Sequence, residues 1–194
     1  MCQTERQRIQ VKELSAQIIN YYHARGKRAV FQLGADCKFI IISQAPGKKV
    51  DTTGIPWDDM SGRTLKNWLG VTDAQFYNPQ LFSIMPIDFC YPGKGLHGDL
   101  PPDKSCADIW HPQILAQMKA DPVRLLIGKY AIDYYLGASQ RSSLAETIRN
   151  FKSYLPICFP LIHPSPRNKK WLADHPWFLN ETIPYLRSMV AAKV

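Results

Sequence analysis

The sequence predicts an α/β protein, a three-layer α/β/α sandwich around a central four-stranded parallel sheet. Three observations carry that expectation. Short apolar runs at residues 39–43, 81–87, 123–128 and 157–162 have the length and β-branched content of buried strands. Stretches between them place apolar residues at three- and four-residue steps, the spacing of helices with one buried face. No Asn-Gly or comparable two-residue signal joins any two runs as a hairpin, so the connections read as crossovers between parallel strands.

Taken in order, Ile9, Val11, Leu14, Ile18, Ile19 and Tyr22 recur at helical spacing and predict a helix over 6–23, ended by the basic segment around Gly26. The run Phe39-Ile40-Ile41-Ile42-Ser43 follows as the first strand. A turn-rich loop over 51–56 is expected next, then a helix with Ser61 as N-cap that carries Leu65, Trp68 and Leu69. Pro86 marks the end of the second strand. Residues 91–105, including His97, read as a long Pro/Gly loop of the kind that carries function. A helix over 108–119 is expected to bury Ile109, Ile114, Leu115 and Met118. The third strand leads into a helix over 129–136, a helix over 143–151 precedes the fourth strand, and a last helix covers 176–191. Without a repeat, linker or low-complexity segment, residues 1–194 read as one domain, with 1–38 as an N-terminal helical extension packed on it.

Composition sets the outer bounds. A hydrophobic share of 45% suits a packed core, and 24 Lys+Arg against 16 Asp+Glu give a net charge of +8. That excess favours a polyanionic partner such as nucleic acid. The sequence offers no apolar run long enough for a membrane span and no signal-peptide pattern, so a cytoplasmic monomer is expected. Five cysteines (Cys2, Cys37, Cys90, Cys106 and Cys158) include no C-x-x-C pair and read as free thiols. His-x-x-x-His spacing, the P-loop, the dinucleotide fingerprint and the G-x-S-x-G elbow are all missing from the sequence, so no metal site is expected.

Ligands of open α/β sheets bind beyond the carboxyl ends of the strands. Three loops follow such ends here: Gln44-Ala45-Pro46-Gly47, the stretch from Asp88 to Gly98, and His163-Pro164-Ser165-Pro166-Arg167-Asn168. The segment Ile55-Pro56-Trp57-Asp58-Asp59 can fold over the same edge. Together they offer an imidazole, carboxylates, a carboxamide, an aromatic ring and several cations.

These motifs, in this order, resemble the uracil-DNA glycosylase superfamily, closest to its iron–sulfur, thermostable-type branch. The residues that carry the resemblance are Ser43-Gln44-Ala45-Pro46-Gly47, then Gly54-Ile55-Pro56-Trp57 with Ser61-Gly62-Arg63, then Leu126-Ile127-Gly128-Lys129-Tyr130-Ala131, and finally His163-Pro164-Ser165-Pro166. Cys90 and Cys106, sixteen residues apart, belong to the same pattern. The resemblance runs from about Phe39 to the C-terminus. It implies hydrolysis of the N-glycosidic bond of a flipped-out uracil or other damaged base in DNA. By this resemblance His163 stabilises the leaving base and Gln44 positions water. Trp57 stacks on the base, with Ala45, Pro46 and Gly47 beside it. Lys48, Arg63 and Ser165 hold phosphates, and Arg167 and Asn168 sit where the duplex is wedged open.

Three departures qualify what is implied. Gln44 stands where that branch has Glu, and a carboxamide orients water without taking its proton. Pro86 falls where relatives place the Asn that reads the uracil edge. The upstream C-x-x-C is missing, so no iron–sulfur cluster is expected. Asp58 or Asp59 is a candidate replacement carboxylate, and Asp88 a candidate edge reader. A non-catalytic nucleic-acid or nucleobase binder on the same fold is the alternative, and an enzyme on a small phosphorylated substrate is a third reading.

Overall fold

The computed structural model describes residues 3–96, 98–119 and 121–194. Cys2 and His97 lie outside the described residues. Helix α1 (Gln3–His23) leads to strand β1 (Phe39–Ile42), whose four side chains are fully buried. Burying each such side chain contributes about 1.5–3 kcal/mol, so this strand anchors the core. After it come α2 (Lys48–Thr53), α3 (Met60–Leu69), α4 (Asp73–Phe76) and β2 (Phe82–Ile84). A two-stranded ribbon, β3 (Lys94–Gly95) and β4 (Gly98–Asp99), precedes α5 (Lys104–Leu115). The chain closes with β5 (Val123–Ile127), α6 (Lys129–Leu136), α7 (Leu144–Arg149), β6 (Cys158–Leu161), α8 (Lys169–Asp174) and α9 (Ile183–Ala191).

The central sheet has the order β2-β1-β5-β6, and every pairing is parallel. Phe39 pairs with Phe82 on one side and Val123 on the other. From β1 the chain first adds a strand on one flank and then crosses to build the opposite flank. The carboxyl ends of β1 and β5 therefore border a topological switch point, where the loops diverge and leave a crevice. Pro160 sits in β6, at the sheet edge, where a missing N–H breaks no ladder bond.

Several elements depart from expectation for identifiable reasons. Helix α5 begins four residues earlier than predicted, because Asp103 caps it by accepting from the Ser105 amide at 3.0 Å. Its buried face is Cys106, Ala107, Trp110, His111 and Ile114, while Ile109 faces outward at 42% exposure. Residues 51–53 belong to α2 instead of a loop. Helix α3 is capped by Asp59, not Ser61: Asp59 Oδ1 accepts from Gly62 N at 2.7 Å. The expected last helix is a π-turn over Phe178–Thr182 followed by α9. Pro184 has no N–H to donate four residues back, which favours that local widening of the ladder. The long loop holds the β3–β4 ribbon, which no turn signal announced.

The segment between α1 and β1 runs as a strap along the outer edge of β2. Gln32 N donates to Ile84 O at 3.0 Å, Ile84 N returns a bond to Gln32 O at 2.7 Å, and the Gln32 amide donates to Phe82 O at 2.7 Å. Covering an edge strand in this way removes a row of unpaired backbone groups. The same strap carries Val30 toward the crevice. No helix among the described residues is long and apolar enough to cross a membrane.

Candidate active site

A cleft of about 440 Å³ opens at the switch point. Its walls come from the turn after β1 (Ser43, Gln44, Ala45, Pro46 and Gly47), the segment before α3 (Pro56, Trp57, Asp59 and Ser61), and the loop after β6 (His163, Ser165, Arg167 and Asn168). Val30, Ile84 and Pro86 add apolar surface, and Asp99 enters from the β3–β4 ribbon. Four loops distant in sequence thus meet at one edge of the sheet.

Local chemistry explains how each side chain is held. Trp57 is the one described residue other than glycine with positive φ, at 59°. An L-residue there is strained, and such strain persists only where the surroundings over-determine it. Here the constraint is visible: a Cβ on Gly62 would lie 1.7 Å from Trp57 O, so only glycine lets α3 approach the Trp57 backbone this closely. The indole packs on the imidazole of His163, ring centroids 5.5 Å apart and planes 27° from parallel. His163 is braced from behind as well. Gly128, at φ +82°, leaves room where a Cβ would stand 3.2 Å from His163 Cβ. Asn168 Nδ2 donates to His163 O at 2.7 Å, and Ser165 Oγ accepts from Arg167 N at 3.3 Å.

Burial pushes the His163 pKa below the usual imidazole value, and the nearby Asp59 carboxylate opposes that shift only in part. The ring is therefore neutral at neutral pH and presents one N–H donor. Asp59 borders the cleft with one oxygen tied to the Gly62 amide. No hydrogen bond within the chain is recorded for its other oxygen among the described residues. Gln44 borders the cleft, and its backbone carbonyl accepts from Asp88 N at 3.0 Å.

Of the candidate residues, Gln44, Ala45, Pro46, Gly47, Trp57, Asp59, His163, Ser165, Arg167 and Asn168 border this cleft. Asp58, Lys48 and Arg63 do not; Lys48 and Arg63 are exposed on the outer faces of α2 and α3. Asp88 corrects the expectation most clearly. It is 2% exposed and turned away from the cleft, satisfied on both oxygens. Oδ1 accepts from Tyr22 OH at 2.9 Å and Cys90 N at 3.2 Å, and Oδ2 accepts from Asp103 N at 3.2 Å. Asp88 joins α1 to the long loop and lies outside the lining of the cleft. Missed from the sequence were Val30, Ile84 and Asp99, since no spacing rule places a strap or a ribbon beside a cleft.

Cys90 and Cys106 flank the Asp88 carboxylate and the Tyr22 hydroxyl. Burial pushes the thiol of Cys90 up to about 12 and that of Cys106 to about 11. Among the described residues no group of three His, Cys, Asp or Glu side chains is placed to hold a metal ion. Among the described residues Cys90 and Cys106 bring two thiols to this place, beside a tyrosine and a carboxylate already hydrogen-bonded within the chain, against the four cysteine ligands that common iron–sulfur clusters take.

A parallel sheet of this order, with an imidazole, an indole, a carboxamide and a carboxylate at its switch point, defines an α/β protein with a polar cleft beyond the carboxyl ends of its strands. The sequence model of the uracil DNA glycosylase superfamily matches residues 31–187. The chain belongs to that superfamily.

Proposed function

We propose that the protein binds DNA with one nucleotide turned into the cleft and hydrolyses its N-glycosidic bond, with uracil or another damaged base as the leaving group. The observation that carries this reading is the meeting of Gln44, Trp57, Asp59 and His163 in one cleft. The C1′–N bond breaks with its electron pair going to the base, which departs as an anion. The neutral His163 donates its N–H toward the oxygen where that charge develops, in a half-buried site where such a bond is stronger than in water. Gln44 orients the water that adds to C1′, and the unclaimed oxygen of Asp59 is positioned to receive its proton and to balance the positive sugar.

Ring spacing limits how the base enters. Stacked planes sit about 3.4 Å apart, so a base between two rings needs about 6.8 Å. Trp57 and His163 are closer than that at 5.5 Å, so the base lies against the ring pair, not between its members. Val30, Ile84 and Pro86 supply apolar surface without a side-chain donor. That composition supports contact by shape there, leaving hydrogen bonding to groups on the other walls such as the Gln44 amide, which can both donate and accept.

The replacement of a first-motif carboxylate by Gln44 supports a second reading, a non-catalytic binder of DNA or a nucleobase. Measuring free uracil released from single- and double-stranded uracil-containing DNA separates the two. Release that falls by on the order of 100-fold or more in His163→Ala supports hydrolysis through this donor. No release at high protein concentration, with salt-sensitive DNA binding retained, supports the binder.

A further inference from the structure

A second cavity, of about 480 Å³, shares no residue with the cleft. It lies beside β6, the outermost strand: Phe151 in its wall stacks on Phe159 of that strand, ring centroids 4.5 Å apart and planes 22° from parallel. The end of α7 and the 3-10 turn Phe151–Tyr154 form one side, and the π-turn with the start of α9 forms the other. A step of four residues overshoots the α-turn of about 3.6 residues, and a π-turn, whose bonds reach one residue further back, takes up the excess. Trp177, Glu181 and Tyr185 follow one another at such steps, and all three line the cavity.

Two cations are held over the rings of this cavity. The Arg149 guanidinium lies 5.6 Å from the centre of the Trp177 ring, and Lys152 Nζ lies 5.3 Å from that of Tyr185. Among the described residues neither forms an ion pair with a carboxylate. Tyr185 packs on Phe151 at 4.9 Å yet stays 40% exposed, which leaves ring surface open. Two carboxylates complete the lining. Glu146 accepts from the Ser142 hydroxyl, whereas Glu181 is exposed and has no ion-pair partner among the described residues. Open ring surface beside unpaired cations suits a ligand that is flat at one end and anionic at the other. A nucleotide has that form, its base stacking on aromatic rings and its phosphate meeting Arg and Lys. The exposed carboxylate narrows the choice of base. A carboxylate only accepts, so it favours an amino group such as N4 of cytosine over the O4 that uracil carries at the same position.

We propose that this cavity binds a nucleotide whose base carries an amino group: the base lies against Tyr185 and Trp177, the amino group donates to Glu181, and the phosphate sits on Arg149 and Lys152. No step of the hydrolysis proposed for the cleft passes through it, and uracil, the base expected in the cleft, is the one it disfavours. A free nucleotide and a nucleotide within a single strand present the same chemistry to these side chains.

The test titrates the nitrogen-15-labelled full chain with deoxycytidine monophosphate, deoxyuridine monophosphate and a short single-stranded oligodeoxycytidine, following the indole N–H signals by NMR. Trp177→Phe and Trp57→Phe assign the signals of the two sites. The cytidine nucleotide should move the Trp177 signal and leave that of Trp57 in place, with a dissociation constant on the order of tenfold below that of the uridine nucleotide. Glu181→Gln changes an exposed side chain, so its melting temperature should equal that of the wild type. In that variant the two constants should come within about twofold of each other. Arg149→Gln should weaken both and make the salt dependence less steep. Tighter binding of the oligonucleotide than of the mononucleotide supports a strand as the source, and equal binding supports the free nucleotide. A Trp177 signal that neither cytidine ligand moves would overturn the site. Equal constants for the two mononucleotides in the wild type would overturn the assignment to amino bases. Movement of the Trp57 signal alone would place the ligand in the cleft, overturning this site and supporting the reading of the cleft.

Discussion

Acid should destabilise this protein through His111, a histidine outside the cleft that supports one of its walls. His111 is 1% exposed, with Nε2 3.0 Å from Pro86 O and Nδ1 2.9 Å from Tyr135 OH. The carbonyl can only accept, so Nε2 carries the proton and Nδ1 accepts from the tyrosine. Burial pushes the pKa from 6.5 down to about 4, outweighing the opposite pulls of the Pro86 hydrogen bond and the Asp108 charge. Between those values the unfolded chain binds a proton that the folded chain refuses. The stabilisation is complete above pH 6.5 and is lost as the pH falls toward 4. A difference of 6.5 − 4 = 2.5 pK units, at 1.36 kcal/mol each, amounts to about 3 kcal/mol. Urea unfolding at a series of pH values between about 7.5 and 4 measures it, with His111→Gln as reference because its amide can still donate to Pro86 O. At neutral pH the variant should be less stable by about 1–3 kcal/mol for imperfect pairing. Over the acid window the wild type should lose about 3 kcal/mol more than the variant does. Contributions common to both proteins cancel in that difference. Parallel pH curves for the two proteins would refute the assignment.

Two further substitutions probe how the site is held. Gly62→Ala places a Cβ 1.7 Å from Trp57 O, so the backbone must separate by at least 1.3 Å (3.0 − 1.7) and carry the indole off His163. Where the wild type releases uracil, a displacement of that size should cut the rate on the order of 100-fold, a larger change than any loss of thermal stability explains. Tyr22→Phe removes the donor to Asp88 Oδ1 and the acceptor of Phe89 N, leaving two buried groups short of a partner. Chemical denaturation should show a loss of about 1–3 kcal/mol, whereas a neutral outcome would mean that water reaches Asp88.

The loop order at the sheet edge was legible because its signals are local. A run of β-branched residues ended by Pro-Gly fixes a strand and its exit within a few residues, so Gln44 could be placed from the sequence. His163 follows from the same logic after the fourth strand. Choosing among carboxylates was harder. Asp58 and Asp59 are adjacent and chemically alike; which one borders the cleft depends on Asp59 being spent on the first turn of α3. Asp88 sits beyond a strand end, as a ligand-reading residue should, yet the backbone bonds from Ile87 to Ser43 and from Asp88 to Gln44 continue the ladder past Pro86 and carry its side chain to the far side, toward Tyr22.

By itself the sequence determined the class of fold, the parallel sense of its strands and the two residues, Gln44 and His163, that head loops at the carboxyl edge of the sheet. Those follow from side-chain periodicity and turn chemistry, which act over a handful of neighbours. Tertiary structure alone decided the strand order, the strap that seals β2, the burial of Asp88, the stacking of Trp57 on His163 and the ribbon that brings Asp99 to the cleft. Each joins residues far apart in the chain, where the outcome is set by which surfaces exclude water together and not by any local preference.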